Sequence, residues 1–251
     1  MAVVTGADAF SFDGGQVGVL LVHGFTGSPA SMRPWGGYLA AQGLSIDCPR
    51  LPGHGTRWQD MNTTTWHDWY GEVERAFEQL RRRCDHVFVM GLSMGGTLAL
   101  RLAEQHTDKI AGLVLVNPSI LREGLVFRAV GPISRLVPSA KAIANDICKP
   151  GADEVAYNRA PLRAAASLAQ LWKVTRADLG KVTMPVLYYR SAVDHVVEAS
   201  NATVIQSLLG SRDVREVLLP NSYHVATLDN DAPTIFDGSL EFVRQHARIG
   251  A

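Results

Sequence analysis

HVFVMGLSMGGTLAL, residues 86–100, is the stretch from which the rest of the chain can be read. His86–Met90 has the length and apolar, β-branched content of a buried strand, and Met94–Gln105 has the composition of a helix. Between them lies Gly91-Leu92-Ser93-Met94-Gly95, a G-x-S-x-G pattern. A serine on a sharp strand-to-helix turn projects its Oγ beyond the sheet edge. Side chains two positions either side would collide in such a turn, and glycine at both positions removes the collision. Gly96 permits further close packing of helix on sheet. Ser93 is therefore the candidate nucleophile. A competing reading, a glycine-rich turn holding a phosphate at a helix N-terminus, lacks both the P-loop lysine and a G-x-G-x-x-G spacing.

Outward from this turn, short apolar runs alternate with helical stretches. Phe10 and Phe12 followed by Asp13-Gly14-Gly15 predict a hairpin leading into a buried strand, Val17–Val22. Pro29–Gln42 reads as a helix stopped by Gly43. Leu44–Cys48 reads as a strand. Trp66–Arg83 reads as a helix with Trp66, Tyr70, Val73, Phe77 and Leu80 on one face. Strands Ile110–Val116, Pro185–Tyr189 and Val214–Leu219 and helices Ser200–Leu209 and Pro233–Arg248 complete the rhythm. The expected fold class is α/β, with a mainly parallel sheet covered by helices on both faces.

Residues 118–180 break the alternation. They hold Pro118, Pro132, Pro138, Pro150 and Pro161 among short apolar pieces, and Pro161 opens a helix through Ala165, Leu168 and Trp172. A segment this long and this apolar is expected to be an inserted cap on a core formed by residues 1–117 and 181–251. Leu121, Leu125, Val126, Phe127, Val130, Leu168 and Trp172 are candidates either for an acyl tunnel or for the cap's own core.

A serine nucleophile needs a base and an acid. With the nucleophile on such a turn, these follow in the order Ser, Asp or Glu, His. Of the eight histidines, His224 alone lies between the last strand and the last helix. Asp194 follows the preceding strand across a short loop, so neighbouring parallel strands present acid and base at one sheet edge. His195, adjacent to the acid, cannot easily fold back onto it. Asp229 and Asp231 come after the histidine and break the order. His23 reads as a buried structural histidine and His54 as part of a loop-shaping turn. A tetrahedral intermediate needs two donors. Met94 N–H, at the helix start, is one, and Phe25 N–H, in the His23-Gly24-Phe25-Thr26-Gly27 loop, is the candidate for the other.

Lys plus Arg and Asp plus Glu each total 24, so the formal net charge is zero and the basic excess expected of a nucleic-acid-binding protein is missing. Cys48, Cys84 and Cys148 are sparse, odd in number and in no metal-ligand spacing, which argues against a disulfide framework or a structural zinc site. The first residues carry no charged n-region and no long apolar h-region, and no apolar run approaches a membrane span. The expectation is a cytoplasmic protein without metal or cofactor. The apolar cap leaves room for transient contact with lipid surfaces.

VGVLLVHGFTG (17–27), PRLPGHGT (49–56), GLSMGGTLAL (91–100), DHVV (194–197) and NSYHVATLD (221–229) together resemble the bacterial monoacylglycerol lipases of the α/β-hydrolase superfamily. They are similar, less closely, to the small thermostable bacterial carboxylesterases. The resemblance spans nearly the whole chain and is loosest in the insertion. It implies a cytoplasmic, metal-free esterase that cleaves monoacylglycerols to glycerol and fatty acid. It carries the triad onto Ser93, Asp194 and His224 and the oxyanion donors onto Phe25 and Met94. The family's glycerol-contacting glutamate falls on Glu154 and a neighbouring aliphatic contact on Ile143; read from the residues alone, Glu154 is a solvated surface side chain. A broad short- or medium-chain carboxylesterase, a cofactor-free perhydrolase and a non-catalytic binding protein stay open as alternatives. Epoxide hydrolases and dehalogenases use Asp as nucleophile, which Ser93 disfavours.

Overall fold

The computed structural model describes residues 2–122 and 130–247. Its centre is a seven-stranded sheet of order β1-β3-β2-β4-β5-β8-β9. These strands are β1 (Phe10–Phe12), β2 (Val17–Val22), β3 (Ser45–Cys48), β4 (His86–Leu92), β5 (Gly112–Val116), β8 (Val186–Ser191) and β9 (Val214–Leu219). All pairs are parallel except β1 with β3.

The continuous apolar runs follow from the burial of both sheet faces. Every residue of β2 and β5 is buried. Because side chains alternate across a strand, Leu20, Val22, Val89, Leu113, Leu115 and Tyr188 enter one apolar cluster, and Val19, Leu21, Phe88, Met90, Val114 and Tyr189 the other. The first cluster is closed by helices α3 (Trp66–Arg81) and α4 (Met94–Gln105), the second by α1 (Arg33–Ala41) and α8 (Ala232–Ala247). A short helix α2 (Trp58–Met61), not anticipated from the sequence, precedes α3, and α7 (Ser200–Leu208) lies between β8 and β9. The Pro29–Gln42 stretch begins as a 3₁₀ turn, Pro29–Met32, capped by the Ser28 side chain, and ends at Gly43 with φ 84°.

The expected hairpin does not form. Phe10 pairs with Cys48 on β3, not with β2. Both edges of β2 are already taken by β3 and β4, so the incoming chain adds to the free edge of β3. The Gly14-Gly15 pair serves the crossing rather than a hairpin turn. Gly15 N–H donates to Gly43 O at 2.7 Å, and a Cβ on Gly14 would lie 2.5 Å from the Leu44 backbone.

The described residues of 118–180 add no strand to the main sheet. They hold α5 (Val130–Ile133), a separate antiparallel pair β6 (Ser139–Lys141) and β7 (Arg159–Pro161), and α6 (Leu162–Asp178). Helix α6 packs against α3 and α4, and its Leu171 is fully buried in the same cluster as the sheet. Among the described residues no helix is long and apolar enough to cross a membrane.

Candidate active site

The turn after β4 has the strained geometry that the glycine pattern implies. Ser93 sits at φ 57°, ψ −119°, a conformation side chains rarely adopt. A Cβ on Gly91 would strike the backbone of Gly95, and one on Gly95 would strike Val22 O. A Cβ on Gly96 would lie 2.7 Å from that of Pro118. Ser93 is nearly buried, at 8% exposure, and its hydroxyl faces a cavity of about 800 Å³ lined also by Gly24, Phe25, His224 and Glu154.

His224 enters that cavity from the loop after β9. Its Nδ1–H donates to Asp194 Oδ2 at 2.8 Å. Asp194 Oδ1 accepts the backbone N–H groups of Val196 and Val197, each at 2.8 Å, which fixes the carboxylate. Burial works to raise the Asp194 carboxyl, but the His224 ring and the two backbone donors outweigh it and hold it below its ordinary value. Burial likewise disfavours a charged His224, and Asp194, helped by Glu154 and Asp146, outweighs it and raises the imidazole above 6.5.

The loop 23–27 passes directly over the serine. A Cβ on Gly24 would stand 3.4 Å from the Ser93 Cβ. Among the described residues neither Phe25 N–H nor Met94 N–H donates to a protein acceptor. His23 holds the loop from behind. Its Nε2 accepts Leu51 N–H at 3.2 Å, so its Nδ1 carries the proton, 3.0 Å from Gly24 O. The ring is fully buried, and burial keeps it neutral, well below its usual range.

Glu154 is not a solvated surface glutamate. It is partly buried on the cavity wall, its Oε1 accepts Asn145 N–H at 2.8 Å, and burial raises its carboxyl. Its segment is laced to the loop over Ser93: Ser28 Oγ donates to Glu154 O at 3.2 Å and Tyr157 N–H to Thr26 O at 3.0 Å. Ile143 lines the cavity but is 53% exposed, at its mouth. Leu121, Val130, Leu168 and Trp172 line the cavity; Leu125, Val126 and Phe127 lie outside the described residues.

Three residues that sequence reasoning passed over complete the surroundings. Asn117, just past β5 at φ 44°, donates from Nδ2 to His224 O at 2.8 Å and to Ser191 Oγ at 2.9 Å. Asp229, read only as breaking the triad order, accepts Tyr223 N–H at 2.8 Å and Cys148 N–H at 2.7 Å, fastening the insertion to the His224 loop. Asp146 accepts from His195 Nδ1 at 2.7 Å, which occupies the rival histidine away from the serine. The position of Asn117 immediately after a strand C-terminus was a usable signal. Nothing in the spacing singles out Asp146.

The strained serine turn, with His224 on the same cavity and hydrogen-bonded to Asp194, agrees with the comparison to known families. The Hydrolase_4 model, described as serine aminopeptidase, S33, matches residues 16–231. The chain belongs to this family. Within reach of this Hydrolase_4 chain, the thermostable monoacylglycerol lipase of Bacillus sp. (strain H-257) is 44% identical over 98% of this chain and 97% of its own length. A carboxylesterase of Bacillus subtilis (strain 168) is 27% identical, covering 98% of this chain and 99% of that protein. Among solved structures, a metagenome-derived lipolytic enzyme superposes with a TM-score of 0.95 at 38% identity, covering 98% of this chain and all of that one. The α/β-hydrolase architecture of this Hydrolase_4 member is thereby established.

Proposed function

We propose that this enzyme is a carboxylic ester hydrolase that cleaves monoacylglycerols to glycerol and fatty acid through an acyl-enzyme on Ser93. The observation that carries the reading is one large, mostly apolar-walled cavity onto which both Ser93 and His224, itself hydrogen-bonded to Asp194, open. The 44% identity to a thermostable monoacylglycerol lipase supports the substrate class.

In this mechanism His224 Nε2 takes the Ser93 proton as Oγ forms a bond to the ester carbonyl carbon. The carbonyl oxygen, now anionic, is met by Phe25 and Met94 N–H. His224 then gives its proton to the departing glycerol oxygen as the C–O bond breaks, leaving the acyl group on Ser93. Water, deprotonated by the same imidazole, attacks the acyl-enzyme; the fatty acid leaves and Ser93 regains its proton. Asp194 keeps the imidazole in the correct tautomer and stabilises its cationic form. Residues 118–180 act as the cap over a core of 1–117 and 181–251. Within the cap, Glu154 accepts hydrogen bonds from glycerol hydroxyls, and Ile143 guides the chain at the mouth. The free thiols of Cys48, Cys84 and Cys148 suit a reducing, cytoplasmic setting.

The test is a ladder of monoacylglycerols of increasing chain length, run beside p-nitrophenyl esters and triacylglycerols. Preference for monoacylglycerols is expected, with Ser93→Ala losing about 10⁶-fold in kcat. Turnover unaffected by that substitution would remove the reading. Glu154→Ala should lose more on monoacylglycerols than on alkyl esters. A flat ladder with equal loss on both would favour the second reading, a broad carboxylesterase, which the Bacillus subtilis relative supports.

A further inference from the structure

Asp146 belongs to the insertion, between β6 and β7, yet it touches both loops that carry the acid and the base. Its Oδ2 accepts the backbone N–H of His195, next to the acid, and the backbone N–H of His224 itself, each at 3.2 Å. Its Oδ1 accepts from the His195 ring at 2.7 Å. Its own carbonyl accepts Val225 N–H at 3.1 Å. The side chain is only 9% exposed and lies on the cavity wall.

We propose that Asp146 is a positioning residue: a single cap carboxylate ties the Asp194 loop to the His224 loop, so the spacing of acid and base is set by the insertion as well as by the sheet. The proposal rests on the triad reading above. Without Asp146 the two loops would be joined by the Nδ1–Oδ2 bond and, nearer their roots, by Asn117 and by Ser191 Oγ donating to Tyr223 O at 2.8 Å, with no tie left from the insertion's side chains at the residues that carry acid and base. The carboxylate needs no ligand to explain it, because three donors from two loops satisfy it. Its replacement by an amide removes the negative charge and sets an N–H₂ against either the His195 ring nitrogen or the two backbone donors that share Oδ2.

The placement also has an electrostatic consequence. The charged groups that face the His224 ring are Asp194 from the loop after β8, and Glu154 and Asp146 from the insertion, while Arg122 and Lys141 line the same cavity. Removing the charge at Asp146 takes away one of three groups favouring the imidazolium. The free enzyme's base then stays neutral to lower pH, and the acid limb of kcat/KM moves down. A side chain that only stabilises the fold would alter the fraction of reactive enzyme and leave that limb in place.

Asp146→Asn, Asp146→Glu, His195→Gln and Ser93→Ala would be compared with the wild type on p-nitrophenyl butyrate across pH, with reactive sites counted by fluorophosphonate titration. For Asp146→Asn, kcat per titrated site is expected to fall about tenfold to a hundredfold, the range for a hydrogen-bonded charge, and the acid limb to move to lower pH. Asp146→Glu should restore the limb. His195→Gln should keep most of the activity, because the two backbone bonds to Oδ2 survive. The inference is overturned if Asp146→Asn matches the wild type in kcat per site and in acid limb, or if His195→Gln reproduces its whole loss. An active Ser93→Ala would instead overturn the triad reading; an inactive one beside a wild-type-like Asp146→Asn overturns this inference alone.

Discussion

His224 shows how one residue's surroundings set an enzyme's working range. In the proposed mechanism it must be neutral to take the Ser93 proton, and its neighbours raise it above 6.5. Activity should therefore fall as pH drops through a value above 6.5, rather than below it as for an unperturbed imidazole. A kcat/KM profile with its acid limb at or below 6.5 would contradict this. Ser93, Asp194 and His224 could be singled out from sequence because each sits where chain order and strand position constrain it. Asp146 and Asp229 could not, since their partners are backbone N–H groups brought close only by folding of the insertion. Glu154 shows the opposite error: a charged residue beside Asp153 looks solvated until the fold partly buries it on the cavity wall.

Among the elements, those with strong periodicity were legible to within a residue or two. Helix α4 is Met94–Gln105, as read, and β9 is Val214–Leu219. The strand β1 was placed against the wrong neighbour because sequence proximity favours hairpins, whereas the free sheet edge belonged to β3. The Pro52-Gly53-His54-Gly55 turn does more than shape a loop. His54 is fully buried against Trp69 and His23, with ring centroids 5.7 and 5.0 Å away. Burial pushes it down to about 4. An unfolded chain binds this proton near 6.5 and the folded chain only near 4, so the unfolded state holds more protons between those values. His54 thus contributes stability that is present above 6.5 and lost as pH falls through about 4. His224 has the opposite sign, its contribution fading as pH rises above 6.5. Urea unfolding at pH 7 and pH 5 should show less acid destabilisation in His54→Gln than in wild type, by up to about 1.4 kcal/mol per pH unit. Parallel losses in both proteins would show that His54 is not the group responsible.

For the whole molecule, the α/β rhythm made the core readable, and the insertion stayed opaque because its short, proline-broken pieces take their shape from what they pack against. Among its described residues the exposed large apolar side chains are Leu136, at 89%, its neighbour Val137, at 44%, and Ile143, at 53%, and the last two line the cavity. Such a rim suits transient contact with a lipid surface from which a chain could slide inward. Changing all three to Ser should reduce co-sedimentation with phosphatidylcholine liposomes while hydrolysis of a water-soluble short-chain ester is retained. Unchanged co-sedimentation would count against the rim.

The fastening of the insertion at Asp229, Tyr157 and Ser28 bears on how such enzymes could be rebuilt. Tyr157 OH alone donates to Gly53 O at 2.8 Å and accepts Thr56 N–H at 2.9 Å. A lid transplanted from a homologue to redirect chain-length choice would arrive without these matching sockets. It would perturb the chemistry it was meant to leave alone, unless the fasteners travelled with it.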